Sequence, residues 1–419
     1  MNLKNQILSY TGVNILNSAV PFLLLPILTN YLDPSDYGVL SIMQLLMLVS
    51  LPIVLMNTHG LLTIEYSKLS YEKFQSLVST ILWVPIIGFI FLELIFFIFE
   101  TLILKYFHIP SQFLYYLPLF VLMQSIPTII PIIFQAKKEP LNFGKYKISM
   151  TVTNLLLSLL LVVVFKLGWE GRFFGIVGSF TIFTIIGFIV LFKLKLLRFS
   201  LDKEFLSVAL KFGVPLIPHS IAGIFLAMSD RVFLVNMLGE HSVGIYSVSF
   251  QIASVITIIL SSINQAWAPN LFERLNMNPS LEEKKNIVKT TYKIMGIMIL
   301  ITLLFMVFSS LVFDIFIDKK YYEGKVTTNI IAIAFLFQGF YFMVTNYIFY
   351  TKKTHILSYI TLFSVGIVFV SNYFLINLYG IIGAAYSMTF VWVMFFLIVF
   401  FVSNKIYPMP WVLLGAKKC

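Results

Sequence analysis

The chain has 419 residues, of which 59% are hydrophobic, 16% aromatic and only 11% charged. Soluble domains carry about 25% charged residues, so this composition excludes an ordinary soluble protein and points to a polytopic membrane protein. The net charge of +11 is not a nucleic-acid signal: with the N-terminus placed in the cytoplasm, inner loops and tails hold 22 Lys and Arg and outer loops 6, which is positive-inside topology.

Apolar runs of about 18 residues or more read as spanning helices. Twelve such spans follow in order, at 11–32, 37–60, 78–99, 113–135, 148–166, 172–193, 212–237, 244–269, 291–313, 329–351, 356–376 and 380–403. The runs do not alternate in and out, so helices rather than barrel strands are expected. Both termini fall inside by the charge bias, and Arg172 is assigned to an outer loop.

The spans repeat. At an offset of 206, Asn30 matches Asn236, Leu32 matches Leu238, Gly38 matches Gly244 and Ser41 matches Ser247. Gly175-Ile-Val-Gly178 matches Gly380-Ile-Ile-Gly383 at 205, and Lys137-Lys138 matches Lys352-Lys353 at 215. Each half holds an even number of spans, so the repeats run parallel. The expected halves are 1–199 and 200–419. The expected fold is all-α and integral to the membrane, with two parallel six-helix bundles around a central cavity. Such duplication is the mark of a transporter that rocks one half against the other.

Charges inside spans are costly and are functional candidates by default. Asp230 and Arg231 lie in span 7, about 9 Å from its outer end at the rise of an α-helix, and Glu93 sits at similar depth in span 3. Adjacent helical residues do not face each other, so Asp230 and Arg231 are not expected to share a partner. Two readings stand for Arg231: it meets an anionic group in the cavity, or it forms a structural ion pair with Glu93 or an outer-loop acid. Uncharged polar residues gather at the inner half of four spans: Asn14 and Asn17 in span 1, Asn57 and His59 at the end of span 2, His219 at the start of span 7, and Asn264 and Gln265 at the end of span 8. Their shared depth in both halves suggests a cavity lining; singly, each side chain would serve as well to bond helix to helix. Pro21, Pro26, Pro52, Pro127, Pro131, Pro215 and Pro218 interrupt spans 1, 2, 4 and 7 and permit kinks.

No enzyme constellation is present. The five His residues have no metal-ligand spacing, there is no phosphate-loop motif, and no outer loop is large enough to be catalytic. No catalytic residue, metal or cofactor is therefore expected, save a coupling cation, H+ or Na+, and energy would come from ion gradients, membrane potential or substrate flux.

The stretch Phe212-Gly-Val-Pro-Leu-Ile-Pro218, then Ser229-Asp-Arg231, Leu238-Gly239 and Val243-Gly-Ile-Tyr-Ser247, resembles the polysaccharide repeat-unit flippase (Wzx-type) branch of the multidrug/oligosaccharidyl-lipid/polysaccharide (MOP) exporter superfamily. So does the opening Leu28-Thr-Asn30-Tyr-Leu with Tyr37-Gly38. The resemblance implies a flippase of the bacterial inner membrane that moves an undecaprenyl-diphosphate-linked oligosaccharide during O-antigen, capsule or exopolysaccharide synthesis. It also implies a polymerase and a chain-length regulator as partners. Lipid II flippases of the same superfamily usually have extra helices and several cavity arginines, unlike the twelve spans and single intramembrane arginine read here. The alternatives are a cation-coupled multidrug exporter of the same superfamily, with Asp230 as the coupling carboxylate, and more remotely a membrane glycan polymerase.

Overall fold

The computed structural model describes residues 12, 13, 17, 22, 24–198, 200–353 and 355–412. Ten helices among them are long and apolar enough to cross a membrane, and no strand occurs among them. Span 1 is described chiefly as helix over 24–31, so the expected twelve crossings are not all visible. Asn14 lies outside the described residues.

The chain forms two compact units, Met1–Gly244 and Ile245–Cys419. In the first, helix α1 (Pro34–Leu55) opens with Pro34 at its first position behind a capping box made by Asp33 and Asp36. Helix α2 (Tyr71–Ile98) is capped by Ser70, whose hydroxyl accepts from Lys73 N. Helices α3 (Leu117–Ala136), α4 (Pro140–Leu159) and α5 (Gly168–Lys193) follow, and α4 continues as a π turn over Leu160–Val164. A buried cluster that includes Leu62, Leu77, Ile81, Ile129, Ile133 and Leu191 ties α2, α3 and α5 together.

The link between the sequence halves is held rather than loose. Tyr71 OH donates to Leu194 O (2.6 Å), Ser79 Oγ to Leu196 O (3.2 Å), and Arg198 N donates back to Ser79 Oγ (2.9 Å). Asp202 then caps the short helix α6 (Lys203–Gly213), accepting from Glu204 N and Phe205 N. Span 7 does not start as one helix. A 3-10 turn, Val214–Leu216, carries Pro215 and leads into α7 (Ile217–Leu238), which has Pro218 in its first turn. Proline lacks the N–H that a continuous helix would need there. By contiguity α7 belongs to the first unit, although the repeat groups it with the second half.

Helix α8 (Glu240–Asn276) starts in the first unit, which ends at Gly244, and continues into the second, where α9 (Leu281–Phe316), α10 (Gly324–Tyr350) and the 52-residue α11 (His355–Ile406) follow. Spans 11 and 12 both lie in α11, which breaks at Gly380 with φ 61° and ψ −136°. This conformation is open essentially to glycine alone. Gly380→Ala should therefore lower stability by roughly 1–3 kcal/mol, read as a thermal shift of the detergent-solubilised protein.

The repeat is visible in local geometry. Asn30 and Asn236 both donate to the carbonyl four residues back, Pro26 O and Val232 O, each at 2.7 Å. Gly168, Gly239 and Gly380 are the glycines at positive φ among the described residues, at 56°, 84° and 61°, while Gly175 lies inside α5.

Candidate functional site

The charges singled out in the sequence lie on two helices of the first unit, Glu93 on α2 and the Asp230-Arg231 pair on α7. Asp230 and Arg231, in α7, are 5% and 3% exposed. They pair with each other: Arg231 Nη1 lies 3.0 Å from Asp230 Oδ1, which also accepts from Arg231 N at 2.8 Å. The sequence expectation concerned a shared third partner; the contact seen is between the two neighbours themselves. The repeat partners Leu24 and Leu25 are equally buried, each at 3%, so one half places an ion pair where the other places two leucines. Glu93 forms no ion pair with Arg231. It is half-buried in α2 beside Tyr115, whose hydroxyl donates to Glu100 Oε2 at 2.7 Å. That bond chiefly raises the Tyr115 pKa, and the Glu93 charge adds to the effect.

A second arginine is missing from the sequence reading. Arg172 lies within α5, not in a loop, and is partly buried. Its Nη1 donates to Ser158 Oγ (2.6 Å) and to Asn154 Oδ1, both on α4, and Tyr37 at the start of α1 lies beside it. The contrast with lipid II flippases, drawn from a single intramembrane arginine, loses that part of its basis. A signal was present: Asn154 and Ser158 stand four apart on one face of span 5 and call for a donor.

The inner polar set is only partly assembled. Helix α1 ends in two consecutive left-handed residues, Met56 and Asn57, at φ 44° and 49°. Asn57 Nδ2 donates to Ser220 Oγ at 3.1 Å, joining this turn to the start of α7. His59, next in the turn, has a buried Nδ1 with no partner. His219 is exposed. Asn17 accepts from Thr151 Oγ1 of α4. In the second unit, Asn346 of α10 donates to Asn264 Oδ1 at 2.9 Å, while Gln265 is exposed. For Asn17, Asn57 and Asn264, helix-to-helix bonding is what the geometry displays. No cluster of three or more His, Cys, Asp or Glu that could hold a metal occurs among the described residues.

The architecture is shared with solved structures. One is an inward-facing multidrug resistance MATE family transporter of the MOP superfamily, with a TM-score of 0.70 at 11% identity, covering 97% of this chain and 94% of that one. An outward-facing MATE family transporter gives 0.63 at 12%, covering 97% and 96%. At such identities the likeness is one of fold. Among curated proteins of Haemophilus influenzae, "Lsg locus putative protein 1" is 25% identical over 279 residues, 65% of each chain, so the match spans just under two thirds of that relative. An "Uncharacterized membrane protein" is 25% identical over 357 residues, 82% of this chain and 83% of that one. Its ten long apolar helices mark a multi-pass membrane protein, with the fold of these MATE family transporters. Residues 3–274 match the family model described as polysaccharide biosynthesis protein, and residues 215–374 match MatE. The first match takes in more than half of the chain, which therefore belongs to the polysaccharide biosynthesis protein family.

Proposed function

We propose that the protein is a flippase carrying an undecaprenyl-diphosphate-linked oligosaccharide repeat unit from the inner to the outer leaflet of a bacterial inner membrane, with both termini in the cytoplasm. The observation that carries this reading is the polysaccharide biosynthesis family match over residues 3–274. The physical task fits a chain of this kind. Sugar hydroxyls and phosphates cannot cross about 30 Å of hydrocarbon unaided, so a polar path through the helices must shelter the headgroup while the prenyl tail stays in lipid. A membrane potential negative inside favours outward movement of phosphate. Two charges gain at most about 4.6 kcal/mol per 100 mV when no cation accompanies them. A coupling cation, H+ or Na+, and a polymerase with its chain-length regulator complete the proposal.

The second reading is a cation-coupled multidrug exporter, favoured by the MatE match over residues 215–374. It needs a carboxylate that exchanges protons or cations, and Asp230, the carboxylate proposed for that role, is salt-bridged to Arg231. Deleting the gene in its native host separates the two. The flippase predicts loss of surface polysaccharide, restored by the wild-type gene, with intact lipid-linked repeat units trapped on the cytoplasmic leaflet. Normal polysaccharide with altered drug sensitivity would sink it in favour of the exporter.

A further inference from the structure

The two intramembrane arginines differ in one respect: Arg231 has a carboxylate beside it and Arg172 has none. Arg172 Nη1 is held by the neutral oxygens of Asn154 and Ser158. The other guanidinium N–H groups donate to no acceptor among the described residues, and the side chain keeps partial access to its surroundings. The position is fixed by close packing. A Cβ on Gly175 would fall 2.4 Å from Ser158 Oγ and 2.8 Å from its backbone N, and one on Gly171 would fall 2.9 Å from the Leu161 carbonyl carbon. Helices α4 and α5 therefore meet backbone to backbone where Ser158 meets Arg172. The guanidinium is held against α4 through Nη1, and both of these partners belong to the first unit.

A buried cation without a counter-ion is a liability in a fold, because its desolvation is not offset. Arginine presents a planar fork of donors that matches phosphate oxygens two at a time. Arg172 lies four residues into α5, about 6 Å along the helix from its first residue, at the end that the charge pattern assigns to the outside. That depth is near the level of lipid headgroups.

We propose that Arg172, positioned by Asn154 and Ser158 and flanked by Tyr37, is a binding site for a phosphate-bearing lipid headgroup. Two sources share this chemistry: the diphosphate of a transported prenyl lipid, which rests on the flippase reading, and the phosphate of a bilayer phospholipid, which does not.

The test uses the full-length protein in nanodiscs of digalactosyldiacylglycerol, a lipid without phosphate, with farnesyl diphosphate as a soluble prenyl diphosphate and farnesol as the neutral control. Wild type should bind the diphosphate and Arg172→Gln should bind it at least tenfold more weakly, with farnesol unaffected. Arg172→Lys keeps the charge without the fork and should fall between them. The melting temperature of Arg172→Gln should equal or exceed that of wild type, since an uncompensated charge is removed. Equal diphosphate affinity in wild type and Arg172→Gln overturns the proposal. So does a marked fall in melting temperature in both variants, which would mark Arg172 as a structural tie. Phosphatidylglycerol added to the nanodiscs distinguishes the sources. Competition assigns the site to bilayer phospholipid, and its absence assigns it to the prenyl diphosphate; either supports the site. Should the gene deletion leave polysaccharide intact while Arg172→Gln still loses affinity, the flippase reading fails and the site stands.

Discussion

Arg231→Ala should destabilise the protein by about 3–5 kcal/mol, because it breaks a buried ion pair by removing one member. Asp230 and Arg231 are among the most buried charges of the first unit, at 5% and 3% exposure, and the 3.0 Å contact between them offsets part of their desolvation. Removing one partner takes that contact from the other. Arg231→Lys keeps a cation on a shorter reach and should lose less. The double substitution Asp230→Asn with Arg231→Gln replaces two charges by two neutral amides and should recover part of the loss, because a buried pair is worth far less than the penalty for breaking it. Thermal melting of wild type, Asp230→Asn, Arg231→Gln and the double variant in one detergent forms a double-mutant cycle. If the single and double variants melt alike, the pair is not a stabilising unit. The cycle also bears on transport. A variant that melts like wild type yet loses polysaccharide export would give Arg231 a role beyond the pair. Loss of both together would mean only that the helix had come apart.

The spans were legible because hydropathy acts over about 20 residues, a scale on which single errors average out. Helix ends were less so. Span 3 begins at Tyr71 rather than 78, because Ser70 caps it in polar sequence that hydropathy does not score. Spans 11 and 12 merge into one long run, and only the backbone at Gly380 shows the turn between them. Polar partners were largely hidden. Asn57 meets Ser220 across 163 positions and Asn264 meets Asn346 across 82, and nothing local to either residue names its mate. Arg172 was missed for a different reason: it stood at the first position of span 6 and was counted with the outer loop, whereas α5 begins four residues earlier at Gly168. Arg231 was found because it lies mid-span, but it pairs with its neighbour Asp230 rather than with Glu93 or an outer-loop acid.

Gly244→Ala and Gly38→Ala should each cost at least about 3 kcal/mol, at the upper end of overpacking effects. A Cβ on Gly244 would fall 1.7 Å from Pro34 O, and one on Gly38 would fall 1.9 Å from Glu240 O. Both obstacles are backbone atoms at the first turns of helices, so no rotamer change can relieve them. The two contacts are also one contact seen twice. At the repeat offset of 206, Pro34 corresponds to Glu240 and Gly38 to Gly244, so each segment offers its glycine to the other's first carbonyl. All four residues lie in the first unit. The sequence echo that first marked these glycines thus has a steric cause: a side chain at either position would hold the two segments apart. Gly223→Ala in α7 is the control, since nothing lies within 4 Å of its Cβ position. There the gain in helix propensity should leave stability unchanged or raise it by up to about 1 kcal/mol. Melting curves in one detergent should rank Gly223→Ala at or above wild type and both crossing variants well below it. If Gly244→Ala melts with wild type, the segments do not meet at this distance in the folded protein. If only one of the pair is sensitive, the contact is not reciprocal.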